Sequence, residues 1–217
     1  MTKLIKEIEK FKQEVNINVP KHLLEVSLAE TKVLQEKKIS HKALQVGDIA
    51  KEIILPNILG ESVSLYENLE KNDFIVLNFY RGIWCPYCNL EIKALQNIKD
   101  ELSNLNTKII AISPQTSEDS LNIKEKNNLD FEVLSDLDYK VEKDYGLVYS
   151  LSEKLIPIYK SWGFKVSDNI NNDEYELPMP ATYIINKNKE IIFAFIEEDY
   201  TKRCEPSDIV DAIKKNI

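Results

Sequence analysis

Trp84-Cys85-Pro86-Tyr87-Cys88 constrains this chain more than any other stretch. An apolar, strand-like run, Phe74-Ile75-Val76-Leu77-Asn78-Phe79-Tyr80, leads into it, and a helical pattern beginning at Asn89-Leu90-Glu91 leads out. Two cysteines so spaced at a strand-to-helix junction can close a small ring as a disulfide and reopen as a dithiol. The helix N-terminus offers unpaired N–H groups and a partial positive charge, both of which stabilise a thiolate. Thiols in such positions drop from a pKa of about 8.5 toward roughly 3.5–7.5. Pro86 suits the first helical turn, where a missing N–H costs nothing and a fixed φ preorganises the helix. The motif points to thiol redox chemistry.

The remaining cysteine usage agrees. Three cysteines in 217 residues are far from a secreted disulfide scaffold. A CxxC in a reducing compartment is catalytic or metal-binding rather than structural. The opening Met1-Thr2-Lys3-Leu4-Ile5-Lys6-Glu7 carries no apolar signal core, and no stretch has the ~18 uncharged apolar residues of a membrane helix, so a cytoplasmic protein is expected. A net charge of −8 argues against nucleic acid and anionic membranes as partners.

Two textures divide the chain. Residues 1–45 read as a helical N-terminal extension, with Leu4, Ile5, Ile8, Phe11 and Val15 at helical spacing, then Leu23, Leu24, Ser27, Leu28 and Leu34 after Pro20. Residues 46–217 read as one α/β domain. Ile53-Ile54-Leu55 and Val63-Ser64-Leu65 flank Asn57-Ile58-Leu59-Gly60 as a hairpin. Strands are expected at Phe74–Tyr80, Lys108–Ser113 and Phe131–Leu134, with helices at 86–104, 118–127 and 139–145. Irregular chain is expected up to Pro180, followed by a Thr182–Ile185/Ile191–Ile196 hairpin and a last helix capped by Ser207-Asp208. Alternating βαβα with a closing hairpin implies helices layered on a central sheet.

Cys85-Pro86-Tyr87-Cys88 after Asn78-Phe79-Tyr80 resembles the thioredoxin superfamily, and Met179-Pro180-Ala181-Thr182-Tyr183 lies about where its members carry a cis-proline facing the cysteines. Val46-Gly47-Asp48-Ile49-Ala50, Phe79-Tyr80-Arg81-Gly82, Glu91, and the tail from Pro180 to Arg203 are similar to the peroxiredoxin (AhpC/TSA) branch. The resemblance implies a thioredoxin-like fold, a central mixed sheet flanked by helices, with the cysteine pair at the first long helix. It also implies a thiol-dependent peroxidase that runs a Cys85/Cys88 dithiol–disulfide cycle and is recycled by a thioredoxin-type donor. A general thiol–disulfide oxidoreductase acting on protein disulfides is the alternative. A non-enzymatic redox sensor, its helical N-terminus engaging a partner, is the third. No organic or metal cofactor is implied, since the sulfurs carry both electrons, and peroxiredoxins often pair, which makes a homodimer an option.

The peroxiredoxin pattern Pro-x-x-x-Thr-x-x-Cys lays Arg81 on its proline, Cys85 on its threonine and Cys88 on its peroxide-attacking cysteine. The family's arginine falls near Pro180 or Ala181 and is missing, leaving Arg81 and Arg203 to restore a cation. Asn78 stands nearest the buried acid of thioredoxins and cannot take a proton. In the thioredoxin-style order, Cys85 attacks a disulfide with an exposed sulfur and Cys88 resolves; in the peroxiredoxin-style order the roles reverse. Trp84 and Tyr87 either meet the reductant or pack over the sulfurs, and Arg81 either lowers a thiolate pKa by its charge or is an exposed arginine paired with a carboxylate. Pro180 is expected to be cis. Cys204 is read as a lone thiol, with a C-terminal resolving cysteine, as the resemblance allows, as the alternative, and His22 and His41 are read as ordinary residues of the extension.

Overall fold

A computed structural model describes residues 3–161 and 175–217. Its centre is a five-stranded mixed sheet in the order β5–β4–β3–β8–β9, formed by β3 (Phe74–Phe79), β4 (Thr107–Ser113), β5 (Glu132–Ser135), β8 (Ala181–Asn186) and β9 (Ile191–Ile196). β3, β4 and β5 run parallel, whereas β8 is antiparallel to β3 and β9 to β8. Every residue of β3 is buried, as expected of a central strand covered on both faces. Phe74 and Val76 join one core, with Ile92, Leu95, Ile98 and Leu102 of α4 (Pro86–Ser103) and Ile209 and Ile213 of α8 (Pro206–Lys214). Ile75, Leu77 and Phe79 join the other, with Leu65 and Leu69 of α3 (Leu65–Leu69) and Val141 of α6 (Lys140–Asp144). The strand's period of two thus feeds two cores.

The expected strands and helices of this region appear with small shifts at their ends, α5 (Ser117–Asn127) included. The early hairpin forms as β1 (Ile54–Pro56) against β2 (Ser62–Ser64), with Gly60 at φ +79° in its turn. Three elements interrupt the chain expected to be irregular before Pro180: β6 (Val148–Ser150), α7 (Ile156–Ser161) and β7 (Glu176–Pro178), with β6 and β7 paired antiparallel. Residues 162–174 of that stretch lie outside the described residues. The last helix starts one residue earlier than its expected cap. Pro206 takes the first helical position, Glu205 is the N-cap, and neither Ser207 nor Asp208 caps it.

The expected cis bond at Pro180 is not found: the described residues hold no cis peptide, so Met179–Pro180 is trans. Only two residues separate β7 from β8, and both strands are extended. A trans bond continues such a path, and it is the form an X–Pro bond favours by about 0.5–1 kcal/mol when no tight turn intervenes.

The N-terminus forms a helical hairpin, α1 (Leu4–Asn18) and α2 (Lys21–Glu36), broken at Val19-Pro20. Leu4 and Ile8 enter the α4/α8 core, and Phe11 meets the Tyr87 ring edge-on with centroids 5.2 Å apart. Ile5, off that stripe, faces solvent, although its N–H donates to the carboxylate of Glu205. Leu23 and Val26 of α2 pack against Leu151, Leu155 and Ile158, and Lys154 reaches Glu30 at 3.1 Å.

Candidate active site

The cysteine motif sits where the parallel strand β3 gives way to α4. Cys85 is the N-cap, its N–H donating to the Gly82 carbonyl at 3.1 Å, and Pro86 opens the helix. The loop before it is stapled from two sides. Asn89 donates through Nδ2 to the Ile83 and Cys85 carbonyls at 2.7 and 2.9 Å, and Gln115 Oε1 accepts the Ile83 N–H at 2.6 Å. Gly82 lies at φ +141°, and a Cβ there would stand 2.7 Å from Trp84 Nε1. These bonds fix the cysteines before any substrate arrives.

The Cys85 and Cys88 sulfurs are 2.6 Å apart, and both cysteines are free thiols. Cys88 is fully sealed and Cys85 is only 2% exposed, so the exposed sulfur expected of Cys85 is not found. The cause is the N-terminal hairpin, whose Phe11, Val15, Val19 and Leu24 close over Cys85 across a half-open cavity of about 240 Å3. Trp84 also lines that cavity, with its indole edge-on to Tyr159.

The two thiols are driven apart electrostatically. Burial pushes Cys88 up, but the hydrogen bond from Cys85, the Arg203 charge, the Arg81 main-chain N–H and the Arg81 guanidinium outweigh it. Together they bring Cys88 from 9.0 down to about 5. Cys85 moves upward, through burial and through its proton being held against the Cys88 sulfur. Near neutral pH the pair therefore holds a Cys88 thiolate and a Cys85 thiol.

Arg203 carries this arrangement. Its Nη2 stands 3.4 Å from Cys88 Sγ, its Nε 2.8 Å from Glu91 Oε2, and its Nη1 donates to the Tyr200 and Lys202 carbonyls. The other Glu91 oxygen accepts from Thr182 Oγ1 at 3.3 Å, and Thr182 accepts from Asn78 Nδ2 at 3.2 Å. Burial pushes Glu91 up to about 7, despite Arg203, with the Cys88 charge adding to the rise. One cation thus serves two acids.

Arg81 occupies a separate cage. It donates to the Pro178 carbonyl at 3.2 Å, to the Tyr159 hydroxyl at 3.3 Å and to the Tyr149 hydroxyl at 2.6 Å, and lies 4.2 Å above the Tyr200 ring. Arg81 is 1% exposed, and its charge acts on both cysteines. Tyr87 is wedged between Phe11 and Tyr200, so it packs under the hairpin. Pro180 is buried just before Ala181, which pairs with Phe79 at the strand end that leads into the motif. Cys204 is buried with its S–H directed at the Glu205 carbonyl, 3.6 Å away, and His22 and His41 lie exposed on the extension.

Sequence reasoning named Arg203 only as a candidate cation and gave Glu91 no chemical part. Cys88 and Glu91 stand at i and i+3 on α4, a spacing that places both on one helix face. That signal was available for Glu91. Tyr149, Tyr159 and Tyr200 converge on Arg81 from three separate segments, and no local pattern marks them.

Comparison with known proteins adds a family. The AhpC/TSA family matches residues 46–194. Over 136 residues the chain is 32% identical to a putative peroxiredoxin Bcp of Buchnera aphidicola, covering 61% of this chain and 81% of that protein. Over 104 residues it is 31% identical to peroxiredoxin Bcp of Escherichia coli K12, covering 48% of this chain and 65% of that one, just under two thirds of its length. Among solved structures, peroxidoxin BcpB of Mycobacterium tuberculosis superposes with a TM-score of 0.62 at 16% identity, over 79% of this chain and 97% of that one, a likeness of fold.

Proposed function

We infer that this chain, which belongs to the AhpC/TSA family, is a thiol-dependent peroxidase in which Cys88 attacks the peroxide and Cys85 resolves. The observation that carries the order of attack is the Arg203 guanidinium 3.4 Å from Cys88 Sγ. A thiolate is the nucleophile, and of the two sulfurs Cys88 is the one held as thiolate. Cys88 forms a bond to one peroxide oxygen as the O–O bond breaks, and the departing oxygen takes up a proton. The sulfenic acid left on Cys88 then condenses with the Cys85 thiol beside it, releasing water and forming the disulfide. A thioredoxin-type dithiol supplies two electrons by exchange and restores both thiols. Arg203 takes the place of the cation whose usual position holds Pro180-Ala181, although it comes from beyond β9.

A second reading has one observation in its favour. Cys85, though only 2% exposed, borders a cavity that Cys88 does not reach, which suits a thiol–disulfide oxidoreductase attacking through Cys85. Stopped-flow mixing of the reduced protein with hydrogen peroxide, beside Cys85→Ser and Cys88→Ser, separates the two. The peroxidase reading expects a second-order rate constant above ~10⁴ M⁻¹s⁻¹, the low end of ordinary enzyme efficiencies. That rate should be abolished in Cys88→Ser, while Cys85→Ser reacts once and stops at the sulfenic acid. A rate no better than a free thiolate would instead leave Cys85 as the nucleophile of a disulfide reductase.

A further inference from the structure

Arg203 reaches the cysteine pair from the segment between β9 and α8, and the place of that segment decides where its charge falls. A guanidinium is planar, so pinning two of its nitrogens fixes the third. Nε is held by Glu91 Oε2 at 2.8 Å and Nη1 donates to the Tyr200 and Lys202 carbonyls, which sets Nη2 3.4 Å from Cys88 Sγ. Glu91 is fixed on α4, but both carbonyls belong to the turn at residues 199–202. Bonds inside that turn give it a shape without giving it a position. The Lys202 N–H donates to the Asp199 carbonyl at 2.9 Å, and Thr201 donates to Asp199 Oδ1 from its N–H and its hydroxyl at 3.0 and 2.6 Å.

The Tyr200 ring supplies the position. It lies 4.2 Å from the Arg81 guanidinium, well inside the roughly 6 Å over which a ring face attracts a cation. Tyr87, between the two cysteines in sequence, meets the same ring at 76° with centroids 5.8 Å apart. Both neighbours are themselves held, Arg81 by its three oxygen partners and Tyr87 by the first turn of α4. One residue therefore links the two guanidinia, its ring to Arg81 and its carbonyl to Arg203. We propose that Tyr200 is a positioning residue for Cys88, keying the turn at residues 199–202 to Arg81 and Tyr87 so that Arg203 Nη2 stays on the sulfur. Its bearing on catalysis rests on the reading of Cys88 as the peroxide-attacking thiolate.

Titration of thiolate absorbance at 240 nm in the reduced protein reads where the charge sits. Tyr200→Leu and Tyr200→Met keep apolar bulk but lose the ring face. Each should raise the Cys88 midpoint from about 5 to about 6, which cuts the thiolate present at pH 5 about fivefold. Tyr200→Phe keeps the face and should titrate like wild type. A filling role alone would lower the urea midpoint of the leucine and methionine variants and leave the thiolate where it was. Adding Tyr200→Leu to Arg203→Met should move the thiolate midpoint no further, because the effect runs through Arg203. An unmoved midpoint in either folded variant, or a further rise in the Arg203→Met background, overturns the proposal. So does a Tyr200→Phe midpoint as high as that of Tyr200→Leu, which would credit the hydroxyl and not the face. No peroxide enters these titrations. Midpoints that move as expected in a protein no faster with hydrogen peroxide than a free thiolate uphold the role of Tyr200 and overturn the peroxidase reading instead.

Discussion

Arg203 holds Cys88 and Glu91 at once, with Nη2 3.4 Å from the sulfur and Nε 2.8 Å from the carboxylate. Replacing it by methionine removes the cation nearest the sulfur. Loss of such a neighbour raises an acid's pKa by about one to three units. A two-unit rise from about 5 cuts the thiolate fraction at pH 6 roughly tenfold. In Arg203→Met, therefore, the midpoint of thiolate absorbance at 240 nm should move up, and alkylation of Cys88 by iodoacetamide at pH 6 should slow about tenfold. An unmoved midpoint would shift the credit to Arg81.

Stability should depend on pH through the same pair, with opposite signs. Cys88 falls from 9.0 to about 5 on folding, so between those values the unfolded chain holds a proton that the folded one lacks, and stability rises with pH. Glu91 rises from 4.5 to about 7, so its stabilisation is complete below the lower value and is lost as pH climbs to the upper. The two trends oppose one another between about 5 and 7, and only the Cys88 trend continues above. The stability advantage of reduced wild type over Cys88→Ala should grow from pH 7 to 8.5, by at most about 1.4 kcal/mol per pH unit. Glu91→Gln should gain on wild type between pH 5 and 7. Urea denaturation across these windows reads both, and flat differences would contradict both shifts.

Cys204 follows Arg203 directly in sequence, yet its thiol is turned to the Glu205 carbonyl and burial pushes its pKa far up. With Cys85 2.6 Å from Cys88, the proposed resolution needs no third sulfur. Peroxide-treated Cys204→Ala should show the same two-hydrogen mass loss and the same Cys85–Cys88 linked peptide as wild type. A variant that stops at a sulfenic acid would make Cys204 the resolving thiol.

The sheet was legible because its strands are long and apolar and its helices carry periodic stripes, as at Leu95, Ile98 and Leu102 of α4. β6 and β7 were not, since three residues each leave no room for an alternating pattern. The motif located the thiols, and the helix spacing of Cys88 and Glu91 was there to be used. What decided their chemistry was long-range. Arg203 is 115 positions from Cys88, and the hairpin that buries Cys85 precedes it by some 60 residues. Local pattern carries no record of such closures. Pro180 shows the converse, a position whose familiar conformation yields to the straight path from β7 into β8.

Arg81 offers the sharpest test of how the site is braced. Its planar fork meets three oxygens in three directions, Pro178 O, Tyr159 Oη and Tyr149 Oη, while its face lies 4.2 Å from the Tyr200 ring. Lysine keeps the charge but not the fork, and a single ammonium on a flexible stem cannot reach all three. Each buried acceptor or hydroxyl left without its donor costs about 1–3 kcal/mol. Arg81→Lys should therefore lose about 2–4 kcal/mol, which lowers Tm by about 5 °C or more for a chain of this size. Because the Cys88 sulfur also takes the main-chain N–H of this residue, its thiolate should persist in the variant unless the loop has moved. Calorimetric melting paired with the 240 nm titration separates the outcomes. A fall in Tm with an unshifted thiolate midpoint assigns Arg81 to bracing the loop. An unchanged Tm with a raised midpoint would assign it to the thiolate.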